Sequence, residues 1–508
     1  MKSTKRFLVF LVVAAMCLTA FSACGQKGAD SSEGSPSAQA PATQTGSAAP
    51  AEEEVKKPEK ITMISSGASL VEPEKNAAFE KAVSDAIGIE FKNIYDTKVF
   101  DRVTLMAAGG EKIDVVLSNT TGFFKTTKVS QEILPEWIED TTYIKQIPEE
   151  FWTVQRREGK TWGVPYRYYS AWVTWVRQDW LDALGLSVPA TVDDYVNVAR
   201  AFTKNDPDKN NKNDTYGFSA SNQWDALNQF FWPFHNAFVK YPMEFAYDTD
   251  LNKYFSVWLT PEYKEYMRWL AGIYAEGLID PEAPTNQHTN YYDKFYAGKV
   301  GFLTGFAHEA SVHVDKLKAV DPNAKMVPIA PPKGIAGNGY TAALSDIGFA
   351  IMQSCDNPQG VLKYFIDWAH SNEGYNMFCW GPEGMNWKKE NGVAVKTASD
   401  PSCGLSPQHV ILKDTFESWV PTRQEDQEAF DVNAANIRWK MQPYTLPDCP
   451  DNRSIDFNMK SLELWTKMLM GDVDVDKGFE QMQAAYKDTK MDEWMDQLNA
   501  DLSWAKEK

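Results

Sequence analysis

The stretch Lys160–Phe218 decides the fold. It opens K-T-W-G-V-P-Y-R-Y-Y-S-A-W-V-T-W-V-R-Q-D-W-L-D-A-L-G-L (Lys160–Leu186) and continues P-A-T-V-D-D-Y-V-N-V-A-R-A-F-T-K (Pro189–Lys204). It closes on N-D-P-D-K-N-N-K-N-D-T-Y-G-F (Asn205–Phe218). Three physical units follow from it. Tyr168–Val176 is an aromatic strand with rings on both faces, suited to a segment with one face in a core and the other on a cavity. Asp179–Leu184 is a short helix that stops at Gly185, a residue able to take the left-handed C′ conformation. Thr191 caps a second helix from Val192 onward, with Asp194 as its capping-box acid.

The third unit is an oxygen-rich loop. Asp206, Asp208, Asn210, Lys212 (through its carbonyl) and Asp214 stand at alternate positions, the spacing with which an EF-hand-like turn gathers oxygens around calcium. Two departures matter. Position six is Asn211 in place of Gly, which is tolerable because Asn enters the left-handed region. Position twelve is Gly217, so the usual bidentate Glu is missing. A calcium held here would be structural. The plain alternative is an Asx-rich turn.

Upstream, strand and helix alternate: Ile61–Ser65, Pro73–Ile87, Ile89–Tyr95, Phe100–Ala108 and Ile113–Leu117. Such βαβ units make a mostly parallel sheet with right-handed crossovers, and ligands bind beyond the carboxyl ends of its strands. Ser66 and Asn119 occupy that edge as candidate hydrogen-bonding groups, against a plain turn-and-cap reading, as do Ser65 and Ser118. Further out, Lys2, Lys5 and Arg6 precede an apolar run, Phe7–Ala20, too short for a comfortable membrane span. Small residues then lead to Cys24, the pattern of a bacterial lipobox; an ordinary secretory signal containing a cysteine is the alternative. Asp30–Ala51 has no large apolar side chain and reads as a flexible tether.

The formal charge of −18 argues against nucleic acid, whose phosphates demand a basic footprint. Cys355, Cys379, Cys403 and Cys449 show no C-x-x-C spacing of a zinc site, and one or two disulfides of unspecified pairing are permitted outside the cell.

Aromatic residues make up 13% of the chain, with 18 Trp; about two in three of these rings are expected to fill the core, with several left for a ligand. Flat apolar ring faces with N–H or O–H groups suit the CH face and hydroxyls of a sugar. Tyr168, Trp172, Trp224 and Trp232 are candidates on these grounds, and Arg167, where this segment begins, is a further ligand-binding candidate. Trp172 and Trp175, three apart on a strand, point to opposite faces, so only one can meet a cleft. Downstream, Pro261–Ala275 and Asn290–Gly298 read as helices, Lys299–Thr304 and Ser345–Met352 as buried strands, and Pro358–Ser371 as a helix. His308 and His313 are five apart, about 140° round a helix, so a zinc-protease H-E-x-x-H reading fails.

The order of these motifs resembles the extracellular solute-binding proteins of family 1, in particular its large lipid-anchored, carbohydrate-associated members. The resemblance rests on Gly159-Lys-Thr-Trp-Gly-Val-Pro-Tyr166, Arg177-Gln-Asp-Trp-Leu-Asp-Ala-Leu-Gly-Leu186, the Asp206 loop, Gly277-Leu-Ile-Asp-Pro-Glu282, Phe295-Tyr-Ala-Gly-Lys-Val-Gly-Phe302 and the Glu373-Gly374 and Glu383-Gly384 region. It implies an α/β, two-lobed periplasmic-binding-protein-like fold of type II, each lobe a mixed sheet flanked by helices, with a helical C-terminal extension. Lobe one is expected over 58–166 and 341–385, and lobe two over 167–340 and 386–508. These follow a signal at 1–23 and a tether at 24–57. Crossings between lobes are expected near 167–175, 339–346 and 381–387. The resemblance adds His308, Trp380 and Glu383 to the cleft and supports the calcium reading. It makes Cys24 the acylated N-terminus and implies a monomer on the outer face of a bacterial membrane, attached by lipid alone, that captures an oligosaccharide for the permease subunits of an ABC importer. Two readings from other classes remain: a sensing lipoprotein for a sugar or peptide, and a secreted glycoside hydrolase, for which no paired-carboxylate motif stands out.

Overall fold

The computed structural model describes residues 54–120, 123, 129–157, 159–167, 172–220, 231, 233–241, 244–248, 250–287, 290–337, 340–342, 347–398, 401–405, 417–440, 449, 451–500 and 502. Cys24, Tyr168, Trp224 and Trp232 lie outside the described residues, as do the expected signal and nearly all of the tether.

Ten strands carry the argument. The first five are β1 (Lys60–Ser65), β2 (Glu90–Tyr95), β3 (Val115–Asn119), β4 (Val164–Pro165) and β5 (Trp172–Arg177). The others are β6 (Phe302–Phe306), β7 (Met326–Ile329), β8 (Ile347–Ile351), β9 (Trp387–Glu390) and β10 (Val393–Lys396). The first sheet has the order β2-β1-β3-β8-β4. β1 runs parallel to β2 and β3, while β8 is antiparallel to β3 and β4. The second sheet is β6-β5-β7, with both neighbours antiparallel to β5. All six residues of β5 are buried; the apolar Trp172, Val173, Trp175 and Val176 suit this, and the polar Thr174 and Arg177 are partnered by Thr304 and Asp179.

Local signals fix the helices. Pro73–Ile87 starts with Pro in its first turn and ends at Gly88, whose φ of 62° lets its N–H reach Ser84 O. Gly185 takes φ 65° after Gln178–Leu184, and the Thr191/Asp194 capping box is reciprocal, at 3.2 Å and 2.9 Å.

Two large cores form. One packs Ile61, Phe79, Phe91, Tyr166, Phe349, Phe378 and Trp387 around the first sheet. The other packs Val173, Trp175, Phe202, Phe302, Ile329, Phe457 and Trp494 around the second sheet and the C-terminal helices Arg453–Met470, Val475–Asp488 and Met491–Ala500. A smaller cluster backs β1 and β3 through Ile64, Val103 and Val116. The chain passes from the first core to the second between Tyr166 and Val173, and returns between Ile329 and Phe349. The third passage differs from expectation. Met385, Trp387, Cys403, Leu405 and Val420 all belong to the first core, so the chain leaves it only after Val420 and joins the second at Ala429. The cause is a hairpin, β9–β10, which returns Trp387 to the first core where a crossing had been expected. Residues 340–342 and 437–440 then run side by side as a short parallel pair.

Candidate functional site

β1 and β3 end at one edge of the first sheet, beside the start of β8 and the end of β4. At that edge Ser66 and Asn119 are exposed, whereas Ser65 is buried and donates to Asn93 Oδ1 at 2.9 Å. Arg167 leaves β4 there, its N–H on Ile347 O at 3.2 Å. Tyr166, just before it, is held by packing on Phe349 at 4.6 Å and by donation to Ala369 O at 2.9 Å. The first passage therefore starts from a fixed point.

Across the passage, Trp172 opens β5 opposite Phe306, which ends β6. Their rings lie 4.2 Å apart at 34°, and the Phe306 ring stacks on His308 at 5.5 Å and 30°. Trp172 is 9% exposed and belongs to none of the cores; its carbonyl accepts from Asn433 Nδ2 at 2.7 Å. Trp175, on the other face, is a core residue edge-on to His313 at 5.0 Å. Of the two indoles, Trp172 is the one at the boundary.

His308 is pushed down to about 3 by desolvation first, then by the charges of Arg167, His313 and Lys396. It is therefore a neutral ring with one N–H donor and one acceptor. Arg167 and Lys396 belong to elements of the first core, and His308 follows a strand of the second. Their fields meet across the boundary. The arrangement brings together aromatic rings, a neutral imidazole and two cations, the chemistry that suits non-covalent capture of a polar ring-shaped solute.

Two expected site residues are elsewhere. Trp380 is 5% exposed within the first core, and its Nε1 donates to Ser418 Oγ at 3.1 Å. Glu383 is an exposed turn acid that accepts from the Lys389 N–H at 3.2 Å. Phe306, Lys396 and Asn433 were not singled out from sequence. Phe306 adjoins the His308 motif, but Lys396 and Asn433 reach the site only through long-range packing.

The Asp206 loop forms its turn, with Asp206, Lys209 and Asn211 in the left-handed region at φ 48°, 56° and 59°. Asp206 accepts the N–H groups of Asn210 and Asn211 at 3.0 and 2.9 Å. Asn210 Oδ1 accepts from Lys212 N at 2.7 Å, which turns its NH2 outward to Asp208 Oδ2 at 2.8 Å and Asp214 Oδ1 at 3.1 Å. Of the expected calcium ligands Asp206, Asp208, Asn210, Lys212 and Asp214, the four oxygen-bearing side chains of Asp206, Asp208, Asn210 and Asp214 are engaged in hydrogen bonds, and Lys212 takes part through its N–H and not through the carbonyl expected to ligate. Among the described residues no group of three or more His, Cys, Asp or Glu side chains is arranged to hold a metal ion.

Two sheets with separate cores, joined by three chain passages and carrying a ring stack at their boundary, define a two-lobed binding protein. The bacterial extracellular solute-binding protein family matches residues 63–376, and the chain belongs to that family. Membership makes it a solute-binding protein and not an enzyme. It is 23% identical over 451 residues to Lipoprotein LipO of Bacillus subtilis (strain 168), covering 82% of this chain and 87% of LipO. It is 28% identical over 223 residues to the polygalacturonan/rhamnogalacturonan-binding protein YtcQ of the same organism, covering 42% of this chain and 43% of YtcQ. Among solved structures, the alginate-binding protein AlgQ2 without calcium ion superposes with a TM-score of 0.65 at 21% identity, covering 88% of this chain and 98% of AlgQ2.

Proposed function

We propose that this chain is the solute-capturing component of an ATP-driven importer and that its ligand is an oligosaccharide or sugar derivative. Lobe one is built on the first core and lobe two on the second. The ligand binds between them, and closure by hinge bending creates the surface that the membrane permease recognises. The observation that carries the reading is the Trp172–Phe306–His308 stack, with the charges of Arg167 and Lys396 felt at His308. Relatives named for binding polygalacturonan and alginate support the sugar class. The protein acts as a monomer on the outer face of the membrane, attached by a lipid on Cys24 through the 24–57 tether.

The test is thermal unfolding against a panel of mono- and oligosaccharides. A ligand present at a hundredfold excess over its Kd stabilises the folded state by about 2.7 kcal/mol. A raised midpoint with one sugar class, and that sugar recovered unchanged, is the expected result. No shift across the panel, with a shift for peptides, would overturn the sugar assignment. Radiolabelled palmitate incorporated by the wild type and not by Cys24→Ala is expected of the anchor; equal labelling of both would remove it.

A further inference from the structure

We propose that Lys299 is the built-in cation of the Asp206–Asp214 loop, so that this loop holds its shape without calcium. The inference does not rest on the sugar reading.

Three independent features point there. First, Lys299 Nζ sits 2.5 Å from Asp214 Oδ2, reaching across 85 residues of sequence to the acid that would otherwise serve a metal. Second, the Asn210 amide presents hydrogens to Asp208 and Asp214, where an oxygen would be needed to bind a cation. Its orientation is fixed from the far side by the Lys212 N–H. Third, the bidentate acid of a calcium loop has no place here. A Cβ at Gly217 would lie 2.6 Å from Ala199 Cα and closer still to Ala199 Cβ. The residue after Asp214 does not compensate, since Thr215 is 2% exposed and donates to Phe202 O at 2.7 Å.

Three carboxylates close together repel one another and would splay the turn unless positive charge offsets them. Asp208 and Asp214 stand close enough for the one Asn210 amide to donate to both. Lys299 supplies the charge as a tethered ammonium, with no cost of drawing a dissolved ion from water. The same residue stitches the loop to the root of β6: Tyr216 N–H donates to Lys299 O at 2.9 Å and Gly301 N–H to Tyr216 O at 3.0 Å. The clasp therefore fixes the loop against the strand that ends in Phe306.

Thermal unfolding of the wild type, Lys299→Gln and Lys299→Arg, each in EDTA and in millimolar calcium, tests the proposal. The expected wild-type midpoint is the same in both buffers. In EDTA, Lys299→Gln is expected about 1 °C below it, the shift that a partly exposed ion pair gives in a chain of this length, while Lys299→Arg keeps the wild-type value. A wild-type midpoint that falls in EDTA and recovers with calcium would overturn the proposal, as would a Lys299→Gln midpoint equal to the wild type's in EDTA. Should Lys299→Gln not fold, native mass spectrometry of the wild type in calcium decides. An unadorned mass is expected, and a stoichiometric calcium adduct overturns the proposal.

Discussion

Glu244→Gln removes a carboxyl that the fold keeps protonated. Glu244 sits between the hairpin that pairs Phe245–Asp248 with Lys253–Ser256 and the C-terminal helix Arg453–Met470. Its Oε2 accepts from Asn458 Nδ2 at 2.9 Å, while its inaccessible Oε1 meets no donor among the described residues. Burial pushes its pKa from 4.5 to about 8, and the Asn458 bond offsets that only in part. The folded-state value is the higher one, so the folded chain holds a proton that the unfolded chain releases. The contribution to stability is fully present below pH 4.5 and is lost as pH rises towards about 8. Each pH unit inside that window is worth about 1.4 kcal/mol, so about 2 kcal/mol disappears between about pH 5.5 and about pH 7. Urea unfolding of the wild type and Glu244→Gln at those two pH values isolates the term, because every other titrating group cancels in the difference. The wild type should lose about 2 kcal/mol relative to the variant on going to the higher pH. A difference that stays constant, or grows with pH, would refute a buried neutral acid at this position.

Two further outcomes follow from the same reasoning. Because His308 is already neutral well below physiological pH, ligand affinity measured by calorimetry should be flat between about pH 5 and about pH 8, apart from any titration of the ligand itself. A tenfold change across that range would contradict a neutral His308. Asp367 accepts the N–H groups of Thr142, Tyr143 and Ile144 at 2.8, 2.7 and 3.0 Å from a buried position. Asp367→Asn puts an NH2 among three donors and should destabilise the protein by about 2–4 kcal/mol in urea unfolding, whereas a change under about 0.5 kcal/mol would show that the carboxylate is dispensable.

The parts of the fold that were legible in the sequence are those set by neighbouring residues. Helix Pro73–Ile87 and helix Pro261–Ala275 have the expected bounds because Pro at the start and the residues at the end decide them locally. The left-handed Gly185 and the Thr191 capping box are of the same kind. The β9–β10 hairpin, which lies in the stretch 386–508 expected in the second lobe, is of the same local kind. Asn391-Gly392 takes φ 53° and 84° between the paired residues Glu390 and Val393, which is the two-residue turn that an Asn-Gly pair signals. Giving that pair its weight would have moved the third crossing downstream.

The site was legible only in part because ring identity does not reveal ring location. Trp172 and Trp380 look alike as residues, and what separates them is which distant element lies alongside: Phe306 for one, Ser418 for the other. The spacing of the Asp206 loop was equally plain, but the partner that changes its meaning, Lys299, is far away in the chain.

Capture of a sugar between the lobes by the Trp172–Phe306–His308 stack is the proposal. It is tested most directly by titrating the best oligosaccharide of the panel into the wild type and Trp172→Ala by isothermal calorimetry, with Trp380→Phe as the core control. Removing a ring at the centre of a binding surface is worth about 2 kcal/mol, so Trp172→Ala should weaken binding about 30-fold while Trp380→Phe leaves it unchanged. Equal affinity of wild type and Trp172→Ala, with both folded, would contradict the account.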